Sequence, residues 1–192
     1  MKLINKENFI AAIPTAVAVI LIAGFRLIPH PWNFAPVGAA AIFGGMYLKK
    51  YYAIALPLLA MFVADAFIGF SWIDVPFVYG SLVLSALIGI WIGKDRTSSS
   101  MFAFRTLGGS VASSFLFFLI TNFGAWLALE TYSKDAAGLI QAYVMAIPFF
   151  GNTLAGDMFF IAVFVAGYEF LQWAVNRKLN SVVVRPGESS AL

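Results

Sequence analysis

Apolar residues gather into long runs, near 9–25, 33–48, 51–70, 75–93, 102–129 and 152–175, with short polar gaps between them. A helix needs roughly 20 apolar residues to cross a hydrocarbon core ~30 Å thick, and most of these runs are that long. The second run is the shortest, which implies a smaller tilt or a locally thinned bilayer. A further apolar stretch lies within 136–157; it is too short to span, and Pro148 interrupts it before Gly151, Asn152 and Thr153. Segments of that length are interfacial or re-entrant more often than they are spanning. The pattern therefore predicts an all-α membrane protein, a six-transmembrane-helix bundle. An extra short helix, lying on or dipping into the outer face, precedes the last span. The chain reads as a single transmembrane helical domain over residues 1–180 and a flexible cytoplasmic tail over 181–192.

Charge orients the bundle. Lys2, Lys6, Lys49, Lys50, Lys94, Arg96, Arg105, Arg177, Lys178 and Arg185 all fall in gaps on one side, and only Arg26 and Lys134 fall on the other. Cytoplasmic loops are enriched in Lys and Arg because those charges resist translocation. The expected location is the inner membrane, with both termini in the cytoplasm. Lys2 and Lys6 also suit the start of a signal peptide. The following stretch, however, ends at Gly24, Phe25 and Arg26 without a small-x-small cleavage signal, so a retained first helix is expected.

Composition agrees with a membrane setting: hydrophobic residues make up 61% of the chain and charged residues 11%, with a mean hydropathy of +0.88. The chain has no cysteine, which excludes disulfides, thiolate metal sites and thiol catalysis. No Gly-x-x-x-x-Gly-Lys-Ser/Thr loop is present, so energy for any transport is expected from a partner, or transport is passive. Nothing in the sequence suggests a nucleic-acid partner or a cofactor.

Ionisable residues inside a membrane are costly and need a reason. Counted along their runs, Asp65, Asp157 and Asn122 fall in the outer third, Arg26 caps the outer end of the first helix, and His30 and Asn33 follow it. Asn152 lies beyond the Pro148 break, and the aromatic Tyr79 and Trp126 lie toward the same face. A shared depth for these groups suggests a small-molecule pocket near the outer face, since such sites combine aromatic walls with a few polar groups. Arg26 or His30 would meet anionic parts of the solute, and the carboxylates would meet donors. The alternative is a structural network, with Arg26 neutralising Asp65 or Asp157 and the asparagines satisfying helix ends. Asp74, just before Pro76, suits the cap of the fourth helix. Glu169 reads as a solvated acid at the cytoplasmic end, and His30, with no neighbouring ligand, does not make a metal site.

The stretch 26–45 resembles the opening motif of an uncharacterised bacterial family of proposed transport proteins, and the match continues through 64–65, 121–124 and 147–157. In size and layout the chain also resembles, more distantly, the substrate-binding S components of energy-coupling-factor vitamin transporters. That resemblance implies six helices, both ends in the cytoplasm and a site near the outer face. It further implies that Ala12 and Ala16, four apart on the first helix, dock a transmembrane coupling subunit that works with ATPases. The expected function is capture of a small micronutrient or vitamin-like solute in the bilayer. Two other classes remain open: an intramembrane enzyme using Asp65 and Asp157 as an acid pair, and a structural or assembly protein.

Overall fold

A computed structural model describes the backbone of residues 6–96 and 98–183 and the side chains of residues 15–96 and 98–177. Within them the chain forms α1 (Lys6–Leu27), α2 (Val37–Tyr47), α3 (Lys50–Ile68), α4 (Val75–Gly93), α5 (Ser99–Ala128) and α6 (Ala136–Val183), and no strand. Four of these, α3 to α6, are long and apolar enough to cross a membrane.

Two elements depart from the expectation. α2 has only 11 residues, so at ~1.5 Å per residue it rises about 16 Å, half of a hydrocarbon core. It is the centre of the bundle, with Ala39, Ala41 and Ile42 wholly buried, and it packs on α3, α4 and α6. The separate helix expected before the last span is absent as such: α6 is one continuous helix of 48 residues with Pro148 inside it. A proline removes one N–H from the helix ladder, and here the helix continues through it. α6 also runs past residue 180, where the tail was expected to begin, and residues 184–192 lie outside the described ones.

Local chemistry sets the helix ends. Gly69, at φ 112°, ends α3 by donating its N–H to the Asp65 carbonyl at 2.7 Å; few other residues adopt that backbone conformation. Ser98 caps α5 by accepting from the Met101 N–H. Asp135 caps α6: its Oδ1 accepts from the Gly138 N–H and the Ser133 hydroxyl, both at 2.8 Å. Those two bonds hold its carboxyl below the usual aspartate range. Lys134, one of the two cations on the side opposite the basic residues, donates to the Trp126 and Leu129 carbonyls at the end of α5.

Small residues bring α2 and α4 into backbone contact. A Cβ on Gly89 would overlap the Ile42 carbonyl, one on Gly93 would lie 2.8 Å from the Met46 oxygen, and one on Gly45 would lie 2.6 Å from Ile90 N. Close approach of this kind takes the place of the hydrophobic drive, which is weak between helices in lipid. α4 meets α5 through hydroxyls: Ser113 Oγ donates to Ser85 Oγ at 2.7 Å, and both side chains are buried. α1 packs mainly on α3, leaving Val17, Ile20 and Leu21 half or more exposed.

Candidate functional site

After α1 the chain does not cap the bundle but turns into it. Residues 28–36 contain Pro29, Pro31 and Pro36, and tight turns join Phe34 N to Pro31 O (3.0 Å) and Ala35 N to Asn33 O (3.1 Å). Phe34 packs on Phe159 and Phe160 of α6. α2 therefore starts deep in the bundle, about 16 Å above the Lys49–Lys50 turn. Irregular backbone inside a membrane is tolerated where it lines a cavity, and Ile28, Pro29, His30, Trp32, Asn33 and Ala35 line one. Residues 28–36, and not the stretch 136–157, form the irregular segment inside the bundle.

The first turn of α2 has no cap of its own, because Pro36 occupies the cap position. Asp157 on α6 supplies one from another helix: its carboxylate accepts from the Ala39 N–H and, at 2.7 Å, from the buried Ser114 hydroxyl of α5. Gly38 makes room for it, since a Cβ there would collide with Asp157 Oδ1. A carboxylate at a helix N-terminus is favoured by the exposed N–H groups and the helix dipole. Ser114 lies halfway along α5, which places Asp157 near mid-depth.

A second cluster holds the upper end. Arg26, in the last turn of α1, pairs with Asp65 of α3 at 3.1 Å, and the Tyr79 hydroxyl of α4 donates to the other oxygen of Asp65 at 2.9 Å. Arg26 also touches the Met61 sulfur. Three helices are thereby tied by one mostly buried carboxylate. No hydrogen bond joins Asp65 to Asp157, and each has its own partners. The shared depth expected for the polar residues is not found: Asp65 sits near the helix ends and Asp157 near the middle.

Between these clusters lies a cavity of about 630 Å³. Of the expected residues, Arg26, His30, Asn33, Asn122 and Asp157 line it. Asp65 and Tyr79 stand behind Arg26. The Asn152 amide donates to the Trp32 carbonyl at 3.0 Å and so braces the loop, and Trp126 donates to the Ser133 carbonyl, away from the cavity. Ala16 is exposed on α1, and the side chain of Ala12 lies outside the described residues. Three lining residues with carboxyl or hydroxyl side chains were not foreseen: Asp74, Thr121 and Thr153. Asp74 does occupy the cap position of α4, but its side chain makes no capping bond.

Apart from the Arg26 guanidinium, which keeps N–H donors beyond those given to Asp65 and Met61, the polar atoms that face the cavity are mostly acceptors. Thr121 and Thr153 spend their hydroxyl protons on the carbonyls of Phe117 and Phe149, and the Asn122 amide nitrogen bonds the Phe118 carbonyl. Their oxygen lone pairs remain. His30 Nδ1 lies 2.7 Å from the Ile28 carbonyl. A carbonyl only accepts, so the proton is on Nδ1 and Nε2 is left as an acceptor in the neutral ring. With Arg26 matched by Asp65, the carboxylates of Asp74 and Asp157 give the cavity a negative balance. Among the described residues no group of three or more His, Asp or Glu side chains is placed to hold a metal ion.

These features describe an all-helical protein with four helices long and apolar enough to cross a membrane, which suggests a membrane protein, and with a cavity between the helices whose largely apolar wall carries a few polar groups. The chain belongs to DUF6580, a family of unknown function, which matches residues 5–180. No curated protein and no solved structure matches the chain.

Proposed function

We propose that this protein is a solute-binding transport component of the bacterial inner membrane. In this reading the basic end and both termini are cytoplasmic, and the cavity takes a small micronutrient or vitamin-like solute from the outer side. The acceptor-rich lining carries the reading and narrows it: Asp74, Asp157, Asn122 and the two threonines suit a solute that is cationic or rich in N–H and O–H donors. A buried acceptor left without a donor costs about 1–3 kcal/mol, so a solute lacking donors is rejected. Delivery inward uses movement of the bundle, energised by a coupling subunit with ATPases that docks on α1 at the exposed Ala16, with Ala12 as the second expected contact.

A structural reading of the same residues is favoured by one observation: Asp65 is fully engaged by Arg26 and Tyr79. Asn122→Ala separates the two, because it removes a lone pair from the cavity wall and breaks only a bond within its own helix. Native mass spectrometry of protein gently extracted from its host should show one small cationic or donor-rich molecule per chain, lost in Asn122→Ala and in Thr121→Val. A wild-type chain that carries only lipid would sink the binding reading. Recovery of a coupling subunit with the wild type but not with Ala16→Leu tests the docking face, and its absence from both removes that part.

A further inference from the structure

A second cavity, of about 660 Å³, opens between α5 and α6 at the basic end and shares no lining residue with the first. Its wall is apolar along Phe102, Leu107, Ile161 and Val165, and two opposite charges, Arg96 and Glu169, stand at its edge. No ion pair joins these two. Tyr47 holds them apart: its hydroxyl donates to Glu169 Oε1 at 2.7 Å, while the Arg96 guanidinium carbon lies 4.0 Å from its ring centre. Arg96 is anchored further by the Met46 carbonyl. A guanidinium has five N–H donors, so this anchoring leaves others to bind.

The depth of the site is marked by tryptophans. Trp91 and Trp173 are 60% and 55% exposed at the same end, each with an arginine, Arg105 or Arg177, within 6 Å of its ring. Exposed tryptophan beside arginine is the signature of the headgroup layer. A fixed positive and a fixed negative charge, a ring's width apart above an apolar furrow, match a dipolar headgroup on an acyl chain.

We propose that this furrow binds phosphatidylethanolamine from the leaflet at the basic end. Arg96 pairs with the phosphate, Glu169 accepts from the primary ammonium, and an acyl chain lies along Leu107, Ile161 and Val165. A phosphatidylglycerol headgroup would satisfy Arg96 but leave Glu169 facing an anion. A choline headgroup carries the right charges but offers Glu169 no N–H.

The test uses the full chain, stripped of lipid in detergent and titrated with equal amounts of palmitoyl-oleoyl phosphatidylethanolamine, phosphatidylglycerol and phosphatidylcholine, with adducts resolved by native mass spectrometry. The ethanolamine lipid should be preferred by about fivefold, the scale of one charge acting at a membrane surface. Glu169→Gln should bring the preference over phosphatidylglycerol close to one. Ala166→Leu, which fills the furrow without altering charge, should lower retention of all three. A wild type that holds the three lipids equally, or Glu169→Gln with its preference intact, overturns the headgroup assignment. Unchanged retention in Ala166→Leu overturns the place given to the acyl chain.

Discussion

Asp157 is the residue whose replacement reads the design of the bundle most directly, because its carboxylate serves both as the cap of α2 and as the floor of the cavity. Asp157→Asn keeps the shape and leaves one oxygen, which can still accept from the Ala39 N–H, while Ser114 Oγ can turn its proton to the Ser110 carbonyl. What it removes is the negative charge at the first turn of α2. In a partly buried setting that charge contributes up to ~2 kcal/mol, so a loss of about 1–2 kcal/mol is expected. Asp157→Ala goes further by leaving the Ala39 N–H without an acceptor. Ser114 is less affected, because the Ser110 carbonyl, 3.0 Å away, can take its proton. One orphaned buried donor adds about 1–3 kcal/mol, for a total near 3 kcal/mol. At ~2–4 °C per kcal/mol for a chain of this size, melting in detergent should fall by a few degrees for Asn and by roughly 10 °C for Ala. The five tryptophans supply the fluorescence signal. The opposite sign is a real alternative, since neutralising a buried charge often stabilises a protein. An Asn variant that melts at or above the wild type would refute the capping account.

Three further outcomes follow from the same structure. Gly89→Ala places a Cβ against the Ile42 carbonyl and should cost about 1–3 kcal/mol by overpacking, whereas Gly80→Ala, which meets open space, should be nearly neutral; paired melting curves compare them. Arg26→Met leaves Asp65 buried and unpaired and should cost about 3 kcal/mol, and adding Asp65→Asn should recover much of that loss in a double-mutant cycle on detergent stability. Asp135 has a lowered carboxyl pKa, so the stabilisation it gives the start of α6 is complete above the ordinary aspartate value near 3.9 and is lost as pH falls through its lower folded value. Hydrogen exchange at the Gly138 amide, corrected for the intrinsic pH effect, should rise there in the wild type but show no such step in Asp135→Ala.

Length and hydropathy were enough to place α3, α4 and α5, since each of those runs is continuous and bounded by polar turns. They could not reveal that α2 is short and central: Val37, Ala40 and Ile42 are as apolar as residues facing lipid, and only packing separates the two. Pro148 suggested a break because a proline weakens a helix on its own, yet the neighbouring α5 supports α6 there through contacts such as Tyr143 to the Leu119 carbonyl and Phe150 on Phe118. Within the bundle, Gly89 and Gly93 on α4 bring backbones together, and the small residues Ser81 and Ser85 on α4 and Thr106, Ser110 and Ser114 on α5 are buried. Their spacing of four was present in the sequence. Five of the nine expected solute-site residues line the cavity: Asn122 and Asp157 because a polar residue in an apolar run seldom faces lipid, and Arg26, His30 and Asn33 because the end of α1 and the segment after it turn inward. Asp74 was hidden by its place at a helix start, where capping is the commoner use of an aspartate.

α6 passes both compartments of the molecule without interruption from Thr153, at the solute cavity, to Glu169, at the lipid furrow. Its only proline lies before that stretch, so the segment transmits tilt instead of absorbing it. Gly156 rests close to the backbone of Phe34, where a Cβ would come within 3.2 Å of the Cα, and makes a natural fulcrum. A tilt of about 10° there swings Glu169 by roughly 3 Å, given ~1.5 Å of rise per residue. Under the proposed function, a solute in the first cavity would act by leverage on the far end of α6, and the proposed lipid would be the load against which the arm turns.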